Sequence, residues 1–368
     1  MGQDAVLVIN SGSSSLKFGL FVPVNDGDES TLIDGTVDGV GRDTGAITLK
    51  DAAGNEMHRE AVKVGSQVEA LGLAAARMAE MKLPTPVGIG HRVVHGGPKL
   101  LEHVLISPKV LQTLRDSVHF APLHIPAAVA LIEEAQRRYP GVAEYACFDT
   151  AFHETMPEEA KMLPLPRRYW DEGARRYGFH GLSYESVVHA LGDAAPERMV
   201  VAHLGSGCSV AAMRAGVSVD TSMGLTPSGG VVMATRTGDL DPGVVLYLLR
   251  QGLSAEEAES LLNHECGLQG LAGHSDLREV EKAFDGGDAV AGVALEVFYR
   301  TIAKTIAGYA SVLGGLDLLV FTGGIGEHSG RTREAVCARL GFIEFAVKAL
   351  ASGEEVQIAR HCRGLMGG

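Results

Sequence analysis

No stretch of about 18 uninterrupted apolar residues occurs in this chain, which excludes a membrane-crossing helix on sequence grounds. The opening MGQDAVLVIN has no basic segment leading into a long apolar one, so no secretory signal is expected. Gly2 follows Met1, but Val6 stands where a myristoylation signal needs Ser or Thr. Cysteine is sparse: Cys147, Cys208, Cys266, Cys337 and Cys362 are scattered, odd in number and never spaced CxxC. That usage reads as free thiols in a reducing cytoplasm, against a disulfide framework or a zinc site. Positive charge is also short, with 32 Lys and Arg against 45 Asp and Glu and a formal net charge of −13. Such a chain repels nucleic acid and anionic membranes, so neither is expected as a partner. If the ligand is an anion, positive charge has to be concentrated at one site.

What is present is a long alternation of strand and helix signals. The chain has 368 residues, 46% of them hydrophobic, enough for two packed cores. AVLVIN and SLKFGLF, joined by a Gly/Ser turn, predict a β-hairpin. Further strands are predicted at LIDGTVDG, GAITLK, VGIGHRVV and VAEYACFD, and helices over 67–81, 109–118 and 127–139, with Pro126 in a first-turn position. A second set follows: RMVVAHL, a GSG turn, CSVAAMR and GVSVDTS as a meander. Helices are then expected over 242–251 and 254–264, the latter opened by a Ser254/Glu257 capping box. Residues 289–313 read as a long core helix, LDLLVFTGG as a buried strand ending in glycines, and 331–340 as a helix. The hairpins at Ile9-Asn10-Ser11-Gly12-Ser13 and Ala202-His203-Leu204-Gly205-Ser206-Gly207 share one design, a strand ending in a polar residue before a Gly/Ser turn. Two such hairpins half a chain apart suggest two related domains across a cleft, with a boundary near Asp149.

Three glycine-rich turns have the size that backbone N–H groups need to approach a phosphate: residues 10–15, 204–207 and 323–327. Lys17 stands as a point charge after the first, but Phe18 and a strand follow it, so this is not a Walker A loop. The third ends a buried strand, where α/β folds bind nucleotides. None carries a full GxGxxG. A single such turn is more often only a turn; three at three strand ends carry more weight. Arg92, inside GHRVVHGG, and Arg236, inside TRTGD, either close buried ion pairs or present their forks to an anion. Of fourteen histidines, His91, His124, His153, His180 and His203 lie at turns or strand ends, and no His/Cys spacing gives a zinc ligand set.

VLVINSGSSSLKF opens the chain and FDTAFHETMP stands near its middle; between and after them come GHRVVHGG, APLH, RYGFHG, AHLGSG, DTSMGLTP, MATRTGDLDP and FTGGIGE. With the first two similar to the two signatures and the others in the family's order, the chain resembles the acetokinase family of short-chain carboxylate kinases. The resemblance covers nearly the whole chain. It implies an α/β fold, the duplicated ribonuclease-H-like architecture of acetate and sugar kinases, heat-shock 70 proteins and actin, with a central cleft. It also implies an N-terminal domain of residues 1–148 plus 358–368 on the acyl and phosphate side, and a nucleotide-binding domain of residues 149–357.

The implied activity is ATP-dependent phosphorylation of acetate, with Mg2+ or Mn2+, in a cytoplasmic homodimer. Asn10 and Glu354 match the metal network, and Arg92 and Arg236 the pair holding the carboxylate and the phosphoryl group in flight. His180 matches a residue bonding the phosphoryl oxygens, Asp149 a positioning carboxylate, and His124 and His203 supporting phosphate contacts. Lys17 and the turn Leu204, Gly205, Ser206 and Gly207 fall with the phosphates. Asp276, Leu277, Arg278, Gly324, Ile325, Gly326, Glu327 and His328 fall on the adenosine side, and Val94, Leu123, Phe179 and Pro227 match a small apolar pocket for the acyl methyl.

The chemistry is consistent with these residue types. A carboxylate is already a nucleophile at neutral pH, so no strong base is needed. The obstacle is bringing two anions together, which Arg, His, Lys and a divalent cation relieve. One methylene in the acceptor pocket is worth only about 1–3 kcal/mol, so acetate and its longer homologues are not separable by sequence. The chain differs from the family pattern at Ser206, where Asn is usual, at Ile125 and His328, again where Asn is usual, and at Ser228-Gly229, where Leu-Glu is usual. The stretch between Phe342 and Glu354 is short, predicting a trimmed sheet edge. Alternatives are a propionate or butyrate kinase, separable by turnover of C2 to C4 acids, and a weakly active ATP-binding relative, which would bind ATP without forming acyl phosphate. A sugar kinase suits paired arginines and an apolar pocket less well.

Overall fold

The apolar run VLVINS becomes β1 (Val6–Ser11), buried on both faces as a central strand must be. The computed structural model describes residues 4–12, 14–24, 28–122 and 124–367. The chain divides into two units, Met1–Ala151 with Gly353–Gly368, and Phe152–Ser352.

Among the described residues, the first unit holds an eight-stranded sheet of order β5-β4-β3-β2-β1-β6-β8-β7. β1 pairs antiparallel with β2 (Ser15–Pro23), and the antiparallel series continues through β3 (Glu29–Asp38), β4 (Gly45–Asp51) and β5 (Glu56–Val62). On the other side of β1, β6 (Gly88–Val93) pairs in parallel. Beyond a short β7 (Val104–Leu105), β8 (Ala143–Phe148) pairs parallel to β6 and carries β7 on its far edge.

Strand alternation divides this sheet into two faces. Leu7, Ile9, Leu16, Phe18 and Ile89 point into a core shared with Ala70, Leu71 and Ala74 of the helix Gln67–Glu80, and Leu131 and Ala135 of the helix Ile125–Arg138. The opposite face of β6 takes the C-terminal helix Glu354–Met366. A Cβ on Gly90 would fall 2.5 Å from Ile358 Cγ2 and 2.6 Å from Cys362 Sγ, and one on Gly88 would fall 2.9 Å from Met366 Sδ. Those two glycines let the last helix lie directly on the sheet, which brings its N-terminus to the end of β1.

The second unit, among the described residues, has a five-stranded sheet of order β11-β10-β9-β12-β13. β9 (Arg198–Leu204), β10 (Cys208–Arg214) and β11 (Val217–Thr221) form the antiparallel meander, and β12 (Leu318–Thr322) and β13 (Ala346–Ala349) follow in parallel beyond β9. The order matches β3-β2-β1-β6-β8 strand for strand and direction for direction. This is the α/β, duplicated ribonuclease-H-like fold. The short stretch before Glu354 still supplies a fifth strand, β13, reduced to four exposed residues at the sheet edge.

The helix Ala289–Leu313 buries Ala291, Ala294, Leu295, Phe298, Ile302 and Ile306 along one stripe, begins with Asp288 accepting from two backbone amides, and ends at Gly314 with φ 74°. Ser254 and Glu257 form the capping box of the helix Ala255–His264. No helix among the described residues is long and apolar enough to cross a membrane.

Candidate functional site

In the first unit, the C-terminal ends of the parallel strands β1, β6 and β8 carry Asn10, Arg92 and Asp149. Ligands of open α/β sheets bind at such strand ends. All three project on the face covered by the C-terminal helix, because each is out of step with the core-facing residues Ile9, Val93 and Phe148. Arg92 donates Nε to Asp149 Oδ1 at 2.8 Å and Nη2 to Oδ2 at 2.6 Å, and its Nη1 donates to Asn10 Oδ1 at 3.1 Å. Asn10 Nδ2 donates to Glu355 Oε1 at 2.8 Å and to Glu354 Oε2 at 3.3 Å. Glu354 Oε2 also lies 3.9 Å from Arg92 Nη1. Lys17, directly opposite Asn10 in the hairpin, sits 3.6 Å from Glu355 Oε1.

The electrostatics follow from that packing. Burial opposes the charge on Arg92, but Asp149, Glu354 and Glu355 outweigh it and hold the guanidinium above its ordinary pKa. Glu355 is the main reason the Lys17 ammonium is also raised, against a smaller desolvation effect. Asp149 is 1% exposed, and the Arg92 fork meets both of its oxygens, which offsets the cost of burying the negative charge.

In the second unit the corresponding strand ends gather a different set. His203 is the penultimate residue of β9 and opposes Ser209 across the hairpin. His180, at the N-cap of the helix Gly181–Leu191 and in left-handed backbone conformation (φ 60°), stacks on His203 with ring centroids 4.1 Å apart. His180 Nδ1 lies 2.8 Å from Ser209 Oγ, and His203 Nδ1 lies 2.8 Å from Ser183 Oγ. A Cβ on Gly207 would fall 3.3 Å from His180 Nε2 and 3.6 Å from Arg236 Nη1, so turn, histidine and arginine are immediate neighbours. Arg236 donates Nη1 to the Pro227 carbonyl at 3.1 Å. Its loop is fastened to the turn by Ala234 N–H to Ser206 O at 3.2 Å, and to the segment starting at Gly267 by Leu268 N–H to Met233 O at 2.9 Å.

Residues 323–328 form one short helix after β12, where the sequence predicted a turn. Gly323 (φ 76°) has room for no Cβ, which would meet Leu204 O at 2.7 Å, so this helix abuts the Leu204–Gly207 turn. Glu327 Oε1 accepts from Ser352 N–H at 3.0 Å, and Arg333 caps the Gly326 and Glu327 carbonyls. Gly324 and His328 are exposed, and Ile325 half-buried. Ser206 is exposed at the tip of its turn. Cys208, behind that turn, has its thiol pushed up to about 12 by burial and is no nucleophile.

Other residues singled out by sequence are placed apart from these clusters or singly within them. Asp276 N-caps the helix Leu277–Asp285 and chelates Arg278, whose hydrogen bonds lower the Asp276 pKa; Leu277 is buried below them. His124 stands at the N-cap of the helix Ile125–Arg138. Phe179 is buried and its carbonyl accepts from His153; Pro227 is half-buried, as is Val94, two residues beyond Arg92. Leu123 and Ser13 lie outside the described residues. Sequence reasoning missed Glu355, which shares Asn10 with Glu354, and the serines Ser183 and Ser209 on the two histidine rings. The adjacent acid in EEVQ was the one available signal for the first.

The sequence profile described as the Acetokinase family matches residues 5–361. An acetate kinase of Pseudarthrobacter chlorophenolicus is 44% identical over 351 residues, 94% of this chain and 88% of that relative. Among solved structures, a propionate kinase from Francisella tularensis superposes with TM-score 0.91 at 34% identity, covering 98% of this chain and 100% of that one. The acetate kinase of Porphyromonas gingivalis gives TM-score 0.86 at 32% identity, covering 99% and 100%. With a profile that spans almost its full length and relatives this similar over nearly all of it, the chain belongs to the acetokinase family.

Proposed function

We propose that the protein transfers the γ-phosphoryl group of ATP to the carboxylate of acetate, reversibly forming acetyl phosphate and ADP. An acetate oxygen attacks the γ-phosphorus, the bond from that phosphorus to the β,γ-bridging oxygen breaks, and ADP leaves with the electron pair. The observation that carries this reading is Arg92, a half-buried guanidinium held by Asp149 at parallel strand ends in a chain of this family.

Each residue group has a defined task. Arg92 meets the acceptor carboxylate, and Asp149 fixes its fork. Arg236 and His180 meet the phosphoryl oxygens, whose charge spreads in a loose transition state. Lys17, His124, His203 and the turn Leu204, Gly205, Ser206 and Gly207 contact phosphates. Asp276, Leu277, Arg278, Gly324, Ile325, Gly326, Glu327 and His328 face the adenosine, making the second unit the nucleotide-binding one. Val94, Leu123, Phe179 and Pro227 receive the methyl group.

Asn10, Glu354 and Glu355 offer amide and carboxylate oxygens, the hard donors that Mg2+ or Mn2+ prefers. They fit such an ion, Asn10 and Glu354 being its holders; when bound, it offsets phosphate charge. The protein acts in the cytoplasm as a homodimer. The helix Pro242–Arg250 supports that assembly: it has no buried residue, and Leu246 and Tyr247 are 50% and 58% exposed.

The test is hydroxamate-trapped acyl phosphate from ATP, Mg2+ and a panel of C2 to C4 acids. Acetate as the best acceptor supports the reading, and no acyl phosphate from any acid overturns it. Propionate is the second reading, favoured by the Francisella tularensis structure.

A further inference from the structure

Behind His180 lies a short chain of hydroxyls. Tyr184 is fully buried, one turn into the helix that His180 caps. Its hydroxyl hydrogen-bonds Ser209 Oγ, and Ser209 Oγ lies 2.8 Å from His180 Nδ1. Among the described residues, the Tyr184 hydroxyl has no other hydrogen-bond partner, and Ser209 Oγ has only these two. Ser209 is itself completely buried on β10, so no water serves either hydroxyl from the surface.

Counting protons decides the direction of this chain. Tyr184 and Ser209 each bring one hydroxyl proton, and each proton needs an acceptor in a buried place. If Tyr184 donates to Ser209 and Ser209 donates to His180 Nδ1, both protons are placed. If His180 carried a proton on Nδ1 and gave it to Ser209, one hydroxyl proton would be stranded, either on Ser209 or on Tyr184. The same count disfavours an imidazolium, which also carries a proton on Nδ1. Burial holds the Tyr184 phenol well above its usual pKa, so the donor at the head of the chain keeps its proton.

We infer that Tyr184 and Ser209 form a one-way donor relay that fixes His180 as the neutral imidazole with its proton on Nε2, the nitrogen that neighbours Gly207 and Arg236. An N–H donor is therefore presented beside the Arg236 guanidinium, and a second donor at that point suits phosphoryl oxygens. The left-handed backbone of His180 fixes where the ring begins, and the relay fixes which nitrogen donates. Tyr184 and Ser209 are positioning residues: they touch His180 and not the reacting atoms. This inference rests on the proposed role of His180 in phosphoryl transfer.

The experiment reads the tautomer and the kinetics separately. In 15N-histidine-labelled protein, with the His180 signals identified by their loss in His180→Gln, the wild type shows a protonated Nε2 and an acceptor Nδ1. Ser209→Ala and Tyr184→Phe shift His180 toward mixed tautomers. Ser209→Ala lowers kcat by roughly 10²-fold, with KM for ATP and for the acid within about twofold of wild type. Tyr184→Phe removes one oxygen and keeps the buried ring, so a retained melting temperature separates the relay from a packing defect. A wild-type His180 protonated on Nδ1 overturns the relay, as does Ser209→Ala with unchanged tautomer and kcat. If the wild type makes no acyl phosphate, the functional reading fails, and the tautomer spectrum still decides the relay.

Discussion

Arg92 and Asp149 come from neighbouring strand ends and meet through two hydrogen bonds, Nε to Oδ1 at 2.8 Å and Nη2 to Oδ2 at 2.6 Å. That fork leaves Nη1 as the nitrogen turned toward Asn10 and Glu354. Lysine keeps the charge but carries it on one nitrogen, so it cannot meet Asp149 at two points and reach Asn10 from a third as the Nε, Nη2 and Nη1 of Arg92 do. Arg92→Lys is expected to lower kcat by about 10²-fold or more, with ATP affinity by calorimetry nearly unchanged. A variant within threefold of wild-type turnover would remove Arg92 from the transition-state role.

Arg236 sits on a loop fastened to the Ser206 turn and donates Nη1 to the Pro227 carbonyl at 3.1 Å. Arg236→Ala is expected to lose roughly 10³-fold in kcat, with the melting temperature measured alongside to separate lost chemistry from lost folding. Equal losses in ATP binding and kcat would make it a ground-state ligand instead.

Asn10 is the shared partner of Glu354 and Glu355. If these oxygens hold the divalent cation, a chelator abolishes turnover, and Mg2+ or Mn2+ restores it. Glu354→Gln raises the Mg2+ concentration for half-maximal rate by about tenfold or more, since a neutral amide replaces a charged donor. A Mg2+ dependence unmoved by Glu354→Gln would relocate the ion.

What the sequence could show depended on how local each signal was. β1, β9 and β12 are apolar on both faces, so their patterns announced buried central strands, and the Ser254/Glu257 box marked its helix start to the residue. β5, EMHREAV, is an edge strand with no buried residue, so no apolar alternation marked it. The helix Glu354–Met366 was equally hidden: its buried Gln357, Ile358, Ala359 and Cys362 are few, and their meaning lies in Gly88 and Gly90 far away in the chain. The relay to His180 was illegible for the same reason, since Ser209 meets His180 only through the β9–β10 pairing. Motifs named the chemistry; long-range pairing chose the partners.

His153 gives a test that involves no substrate. It is 1% exposed, with Nε2 against the Phe179 carbonyl at 3.1 Å and Nδ1 against Ser218 Oγ at 2.8 Å. The carbonyl can only accept, so Nε2 carries the proton and Ser218 donates to Nδ1. Burial depresses its pKa from 6.5 to about 4. Between those values the unfolded chain binds a proton that the folded one refuses, so stability rises with pH across that window and is lost as pH falls through it. A shift of this size is worth of order 3 kcal/mol. Urea unfolding at pH 7 and pH 4.5 should show a steeper loss in wild type than in His153→Gln, measured as the difference between the two pH values in each protein. An NMR titration supplies the direct check: His153 should stay neutral well below pH 6, and a midpoint near 6.5 would show that its cavity admits the charged ring.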